Sequence, residues 1–177
     1  HDMTMQDVED MKEGDHFITV EISEGKELAV KDIFASDPYI RFAIVPRGCV
    51  VMPKQKDLHY KSHYVTQCLN PTWNFVRTCQ LSNTENLQDK DIFIEIWDKD
   101  TGRSDDYMGR VSINISELVD NKPKWYELQR RKDKEFVSGE IRVAVEVLSA
   151  TERRRIMEET KHIYVPLLHW KYHMRML

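Results

Sequence analysis

The sequence predicts an all-β fold, an eight-stranded antiparallel β-sandwich followed by a C-terminal helical extension. Hydrophobic and polar residues alternate with a period of two in eight short stretches, as in strands with one buried face. Turn-forming residues separate these stretches, and no helical pattern lies between consecutive ones, which disfavours a βαβ architecture. Beyond Leu148 the alternation stops and a segment rich in Glu and Arg follows, which favours a helix.

Each predicted strand is justified by this alternation. In the first, Ile18, Val20 and Ile22 share one face while Phe17 and Thr19 take the other. Such a pattern is typical of antiparallel sheets with one dry face. In chain order, the predicted strands are His16–Ile22, Tyr39–Val45, Tyr64–Cys68, Trp73–Cys79, Ile92–Trp97, Arg110–Ile115, Trp125–Leu128 and Glu140–Leu148.

Length and composition predict one domain, residues 14–149, with an extension over residues 150–177. The chain is 41% hydrophobic and 32% charged, as in ordinary globular proteins, and no apolar run reaches the roughly 20 residues that cross a bilayer. His1 to Met5 has no signal-peptide pattern, and the three cysteines lack CxxC spacing. We therefore expect a cytoplasmic protein with free thiols.

The most informative loop reads WDKDTGRSDDYMG and follows the predicted strand Ile92–Trp97. Its aspartates, Asp98, Asp100 and Asp106, would repel one another unless a cation neutralised them. Oxygen ligands without His or Cys favour a hard cation, and a flexible loop suits calcium better than magnesium. The flanking strands and the missing 12-residue pattern exclude an EF-hand. Further ligands must come from another loop, for which Asp32 to Asp37 is the candidate.

Three stretches, LAVKDIFASDPYIRF, LNPTWNF and WDKDTGRSDDYMG, resemble in that order the C2 domain, the second conserved region of conventional protein kinase C. The resemblance covers Phe17 to Leu148. In that family a first loop ending in SDPY and a third loop of form DxDxxxxxD supply calcium ligands. The third loop fits without adjustment, whereas the spacing from Asp32 to Asp37 is one residue shorter than is common. Read across, the resemblance implies the calcium ligands Asp32, Asp37, Asp98, Asp100 and Asp106.

The resemblance also implies a topology and a membrane-binding end. Because the first strand leads directly into the aspartate loop, the order looks like the circularly permuted, type II arrangement. Ile33 and Phe34 lie between the first-loop ligands, where they either insert into membrane or fold back onto the sandwich. Arg103 in the third loop is a further candidate for contact with lipid phosphate.

A basic segment ahead of the third predicted strand contains Lys54, Lys56 and Lys61. In the C2 family a basic strand face often binds acidic headgroups, and each Lys near an anionic surface contributes about 1 kcal/mol. These three lysines are therefore candidate headgroup-binding residues. The alternative interpretation is that they are solvated surface lysines with no ligand.

The leading functional hypothesis is a calcium-binding, membrane-targeting module that docks to anionic phospholipid as a cytoplasmic, peripheral membrane protein. The alternative is a calcium-independent protein-protein interaction module within a larger protein. No nucleic-acid partner is expected, and no nucleophile and base pair, phosphate-binding glycine loop or zinc motif supports an enzyme. The tail, Thr151 to Leu177, is expected to form a helix and then a kinked aromatic segment that packs against the domain.

Overall fold

The computed structural model describes residues 11–33 and 35–160. Two four-stranded antiparallel sheets form a sandwich, so the predicted all-β class is confirmed. The strands are β1 (His16–Lys26), β2 (Pro38–Pro46), β3 (Tyr60–Lys61), β4 (Thr72–Leu81), β5 (Lys90–Asp98), β6 (Asp106–Asn114), β7 (Lys124–Glu127) and β8 (Glu140–Ser149). The strand order is β4-β1-β8-β7 in one sheet and β3-β2-β5-β6 in the other. Short 3₁₀ helices span Lys56–Leu58, Leu87–Asp89 and Ile115–Glu117.

The core lies between the two sheets and is formed by alternate residues of the long strands. Ile18, Val20 and Ile22 of β1 are fully buried, as their shared face predicted. The inward face of β5 contributes three more fully buried isoleucines to the same core. Burying each such side chain contributes about 1.5 to 3 kcal/mol relative to exposure, so this period-two pattern is the main determinant of the fold.

The third predicted strand, Tyr64–Cys68, is wrong. The strand at this point is the two-residue β3, which pairs with β2 through Arg41 and Phe42. Past Lys61 the amide of Ser62 still donates to the carbonyl of Ile40, but the amide of Ile40 donates to the Ser62 hydroxyl and not to a main-chain carbonyl, which ends the strand. Further on, the amide of Val65 donates to the carbonyl of Pro38 in β2, and the amide of Cys68 donates to the carbonyl of Ser36 in the first loop, so no regular ladder forms.

The register brings two loops together at one end of the sandwich. Pro38 at the start of β2 pairs with Asp98 at the end of β5. The loop before β2, residues 27–37, therefore lies beside the loop after β5, residues 99–105. Because β1 leads directly into the first of these loops, the strand order agrees with the type II arrangement that the resemblance implied.

A helix, α1 (residues 150–160), follows β8 at the opposite end, where His16 pairs with Ser149. It begins with a capping box: the Ser149 hydroxyl accepts from the amide of Glu152, whose carboxylate accepts from the amide of Ser149. Met157 packs onto a small cluster that includes Phe17. The predicted helix is thus confirmed, and the aromatic segment of the tail, residues 161–177, lies outside the described residues.

Within the two described ranges, no helix has both the length and the apolar character needed to cross a bilayer.

Candidate functional site

The third-loop aspartates are positioned by the ends of two paired strands. Asp98 is the last residue of β5 and Asp106 the first of β6, and the two lie opposite each other in the ladder. Asp98 is fully buried, and Asp100 is about nine-tenths buried. The Asp106 side chain is about half exposed. The carboxylates of the third loop therefore differ in solvent exposure, which increases from Asp98 through Asp100 to Asp106.

The first loop is held against this strand end by main-chain hydrogen bonds. The amide of Asp37 donates to Oδ1 of Asp98 at 2.6 Å, and the carboxylate of Asp37 accepts from the amide of Gln67 at 2.7 Å. The buried Ser36 hydroxyl donates to the carbonyl of Ala29 and accepts from the amide of Lys31, which closes the loop. Sequence reasoning missed this role of Ser36, although the SDPY motif contains it.

Arg103 joins the two loops. Its Nη2 lies 2.5 Å from a carboxylate oxygen of Asp32, 2.9 Å from one of Asp100 and 3.5 Å from one of Asp106. The hydrogen bond to Asp100, together with these three negative charges, raises the pKa of Arg103 above its ordinary value. Carboxylates from both loops thus converge on one cationic group.

Two buried oxygens at this site have no partner. Among the described residues, neither Oδ2 of Asp98 nor Oδ2 of Asp100 has a hydrogen-bond partner. Burial raises the pKa of Asp98, although the amide of Asp37 opposes the shift. Unpaired buried carboxylate oxygens cost free energy, so these atoms are suited to a cation that would satisfy them.

The arrangement of the carboxylates is not that of a closed metal site. Over residues 11–33 and 35–160, no three His, Cys, Asp or Glu side chains are grouped as a metal ion would need. The Arg103 guanidinium instead contacts Asp32, Asp100 and Asp106. The residues nevertheless fit calcium in their chemistry, because they offer only oxygen ligands and include two buried oxygens that lack a partner in the part of the chain that the structure describes.

Asp105, next to Asp106, has a different role. Its carboxylate accepts hydrogen bonds from the Tyr39 hydroxyl at 2.7 Å, the amide of Asp100 at 3.0 Å and the ammonium group of Lys99 at 3.2 Å. Partial burial alone would raise the pKa of Asp105, but these hydrogen bonds together lower it. Asp105 is therefore already satisfied within the protein and braces the third loop against β2.

The candidate membrane-binding residues of the first loop are only partly described. Ile33 is 88% exposed at the loop tip, so it does not fold back onto the sandwich. Phe34 lies outside the described residues. Arg103, the third candidate, has an exposed side chain that is engaged with the aspartates.

The three candidate headgroup lysines share a cavity on the outer face of the second sheet. Lys54, Lys56 and Lys61 line a cavity of about 540 Å³. The other lining residues are Tyr39, Arg41, His59 and Asp105. Arg41 was missed, although its position two residues after Tyr39 places it on the same outer face of β2.

Comparison with known proteins agrees with this architecture. A family model for the C2 domain matches residues 16–128. The mouse protein piccolo is 30% identical over 122 residues, which cover 66% of this chain and 2% of piccolo. The chain therefore spans only a small part of that relative.

Two solved structures have the same fold. A C2 domain of plant extended synaptotagmin 1 superimposes with a TM-score of 0.61 at 18% identity, over 78% of this chain and 98% of that one. The calcium-bound pair of C2 domains of extended synaptotagmin 2 gives a TM-score of 0.60 at 20% identity, over 82% of this chain and 51% of that one. With the family model spanning most of the sandwich, this chain belongs to the C2 domain family.

Proposed function

We propose that this C2 domain is a calcium-binding, membrane-targeting module that docks to anionic phospholipid through its two aspartate loops. The observation that carries the proposal is that, among the described residues, buried carboxylate oxygens of Asp98 and Asp100 lack a hydrogen-bond partner at the end of the sandwich where the two aspartate loops meet. The residues that would hold calcium are Asp32, Asp37, Asp98, Asp100 and Asp106. Calcium would supply positive charge that neutralises these carboxylates and attracts lipid phosphate.

The charge at this end supports a requirement for a cation. Residues 31–37 and 98–106 contain six aspartates against Lys31, Lys99 and Arg103, a net charge of −3, so without a bound cation these loops would repel an anionic membrane. Main-chain hydrogen bonds hold Asp37 and Asp98 in place, so these two ligands need little reorganisation. Ile33 at the exposed tip offers an apolar side chain for insertion, and Phe34 is proposed to share this role.

The comparisons support the proposal by analogy. One structure with the same fold, extended synaptotagmin 2, is described as calcium bound. The proposal for the present chain includes calcium binding, a cytoplasmic and peripheral membrane location and the lack of catalytic activity. Fold similarity alone does not imply function, so the loop aspartates carry the proposal.

The test is a calcium titration by calorimetry, repeated with vesicles of 30% phosphatidylserine in phosphatidylcholine. We expect calcium to bind weakly to the free protein and more tightly with vesicles, because two ligands that bind the same state cooperatively raise each other's affinity. Vesicles of pure phosphatidylcholine are the control. Absence of calcium heat in both titrations would refute calcium-dependent docking.

A calcium-independent protein-interaction module is the second candidate. It is favoured by Arg103, which already neutralises part of the charge on Asp32, Asp100 and Asp106. An internal cation of this kind reduces the need for a bound one. The same calorimetric titration separates the two functions, because a protein-interaction module would show no calcium heat with or without vesicles.

The lysine cavity is proposed to bind an acidic headgroup beside the calcium loops. Replacing both Lys54 and Lys56 by Gln should weaken binding to vesicles containing a phosphorylated inositol lipid about thirtyfold, since each lysine contributes about 1 kcal/mol near an anionic surface. Vesicle flotation at low ionic strength measures the loss. The control variant replaces Lys122 and Lys124 by Gln, which removes the same charge at positions that do not line the cavity. If both double variants lost vesicle binding equally, only net charge would matter and the cavity would not be a headgroup-binding site.

A further inference from the structure

The loop between β7 and β8, residues 128–139, displays an aromatic side chain that the calcium site does not use. Phe136 is 67% exposed in this loop. Its neighbour Val137 packs against the main core, so the chain is anchored beside the exposed ring. An exposed phenylalanine on an anchored loop indicates a contact surface.

The loop is internally braced. The Arg131 guanidinium makes two hydrogen bonds to one carboxylate oxygen of Glu135, at 2.9 and 2.7 Å. The other oxygen of Glu135 accepts from the amide of Arg131 at 2.9 Å. The same guanidinium stacks over the ring of Tyr107 at 3.7 Å. Phe136 is therefore held outward by its neighbours, which lowers the entropy cost of using it in binding.

The loop is also tied to the first aspartate loop. The ammonium group of Lys31 donates a hydrogen bond to the carbonyl of Phe136, and the Ser138 hydroxyl donates to the carbonyl of Glu27 at 2.9 Å. Gly139 lies directly against the backbone of Lys26 and Glu27. Phe136 is thus displayed at the same end of the sandwich as Ile33.

The charge of this loop is opposite to that of the aspartate loops. Residues 128–139 contain four Lys or Arg and two Asp or Glu, a net charge of +2. Lys31, whose ammonium group also lies over the ring of Phe136, adds another positive charge beside it. An exposed aromatic ring with the Lys31 ammonium group over it, in a loop of net positive charge, is complementary to a surface that is negatively charged outside and apolar beneath.

We propose that residues 128–139 form a second membrane contact, in which Phe136 enters the headgroup region of an anionic bilayer without any need for calcium. The occupant is a lipid surface because the loop is basic and because it continues the end that carries Ile33. The inference deepens the proposed function, on which it rests for the membrane as partner. It adds residues that are not among the proposed calcium ligands.

The test compares Phe136→Ala with Val119→Ala, a matched control because Val119 is 83% exposed on a different loop. Both are made in the wild type and in an Asp98→Asn, Asp100→Asn background, and binding to vesicles with 30% phosphatidylserine is measured by flotation with calcium and with chelator. Phe136→Ala should weaken binding about tenfold in every condition where binding is detectable, because the ring loses apolar burial. Val119→Ala should change nothing.

The outcomes separate this inference from the proposed function. If calcium drives binding and Phe136→Ala equals the wild type, the second contact is refuted while calcium-dependent docking stands. If calcium has no effect but Phe136→Ala still weakens binding, the second contact stands alone. If Phe136→Ala leaves vesicle binding unchanged and turns a dimer into a monomer in sedimentation velocity, a second copy of the chain covers the ring and the inference is wrong.

Discussion

Replacing Asp98 and Asp100 together by Asn should abolish the thermal stabilisation that calcium gives the wild-type domain. At free calcium a hundredfold above the dissociation constant, binding to the folded state alone contributes about 2.7 kcal/mol. For a domain of this size that corresponds to a rise in melting temperature of about 5 to 10 °C. Thermal melts with calcium and with chelator measure the difference. The double variant should have the same melting temperature in both conditions.

The double variant should remain folded without calcium. An asparagine in place of Asp98 would keep an oxygen that accepts the amide of Asp37, and it would remove a buried negative charge. Because burial raises the pKa of Asp98, its ionised form opposes folding above that pKa and stops doing so as the pH falls. Asp89→Asn with Asp120→Asn is the matched control, since both are exposed and away from the loops. If calcium raised the melting temperature of the Asp98→Asn, Asp100→Asn variant as much as that of the wild type, other residues would bind the ion.

The second large effect is expected at Gly139, where the β7–β8 loop meets the first loop. Gly139 has a φ of +92°, and a Cβ there would lie 2.7 Å from the carbonyl oxygen of Glu27 and still closer to that of Lys26. Gly139→Ala should therefore cost about 2 to 5 kcal/mol, from left-handed strain together with overpacking. Urea unfolding followed by tryptophan fluorescence gives the change in free energy of unfolding.

Gly48→Ala isolates the strain from the clash. Gly48 has a similar φ of +78°, but nothing lies within 4 Å of a Cβ built there. The Gly48→Ala variant should be destabilised by the backbone strain alone, by about 1 to 2 kcal/mol. If the two alanine variants were equally destabilised, the backbone at Gly139 would not be tightly apposed to the first loop, and the coupling between the two loops would be weaker than the distances indicate.

Most of the sandwich could be predicted from local pattern. Ile18, Val20 and Ile22 of β1 alternate with polar neighbours over a whole strand, so burial on one face is encoded within a few residues. The two-residue β3 could not be predicted, because it ends through a hydrogen bond between Ser62 and Ile40, which are far apart in the sequence. Short edge strands depend on such partners more than on their own alternation.

The aspartate positions were predictable because spacing within a loop is a local property. The structure brings Asp37, Asp98, Asp100 and Asp106 to one end, and the assignment of all five aspartates as calcium ligands stays a prediction. The part played by Arg103 could not be predicted, because its contact with Asp32 joins loops that are 71 positions apart. A single arginine in an acidic loop gives no indication of which carboxylates it will reach.

The two ends of the described domain leave it side by side. The amide of Ala150, at the start of α1, donates to the carbonyl of Asp15 at 2.9 Å, just before β1 begins. β1 and β8 are antiparallel neighbours whose outer ends, His16 and Ser149, are paired with each other.

This arrangement sets how the domain would respond to mechanical force. Tension between its two ends would load the His16 and Ser149 pair first and then each following pair of the ladder in turn, as a zipper opens. Strands pulled from opposite ends would instead share the load across all their hydrogen bonds at once. Under tension between tethered neighbours, the domain would therefore peel apart at low force from the end that carries α1, while the Lys26 and Glu140 pair, beside the first loop, would be the last of this strand pair to separate.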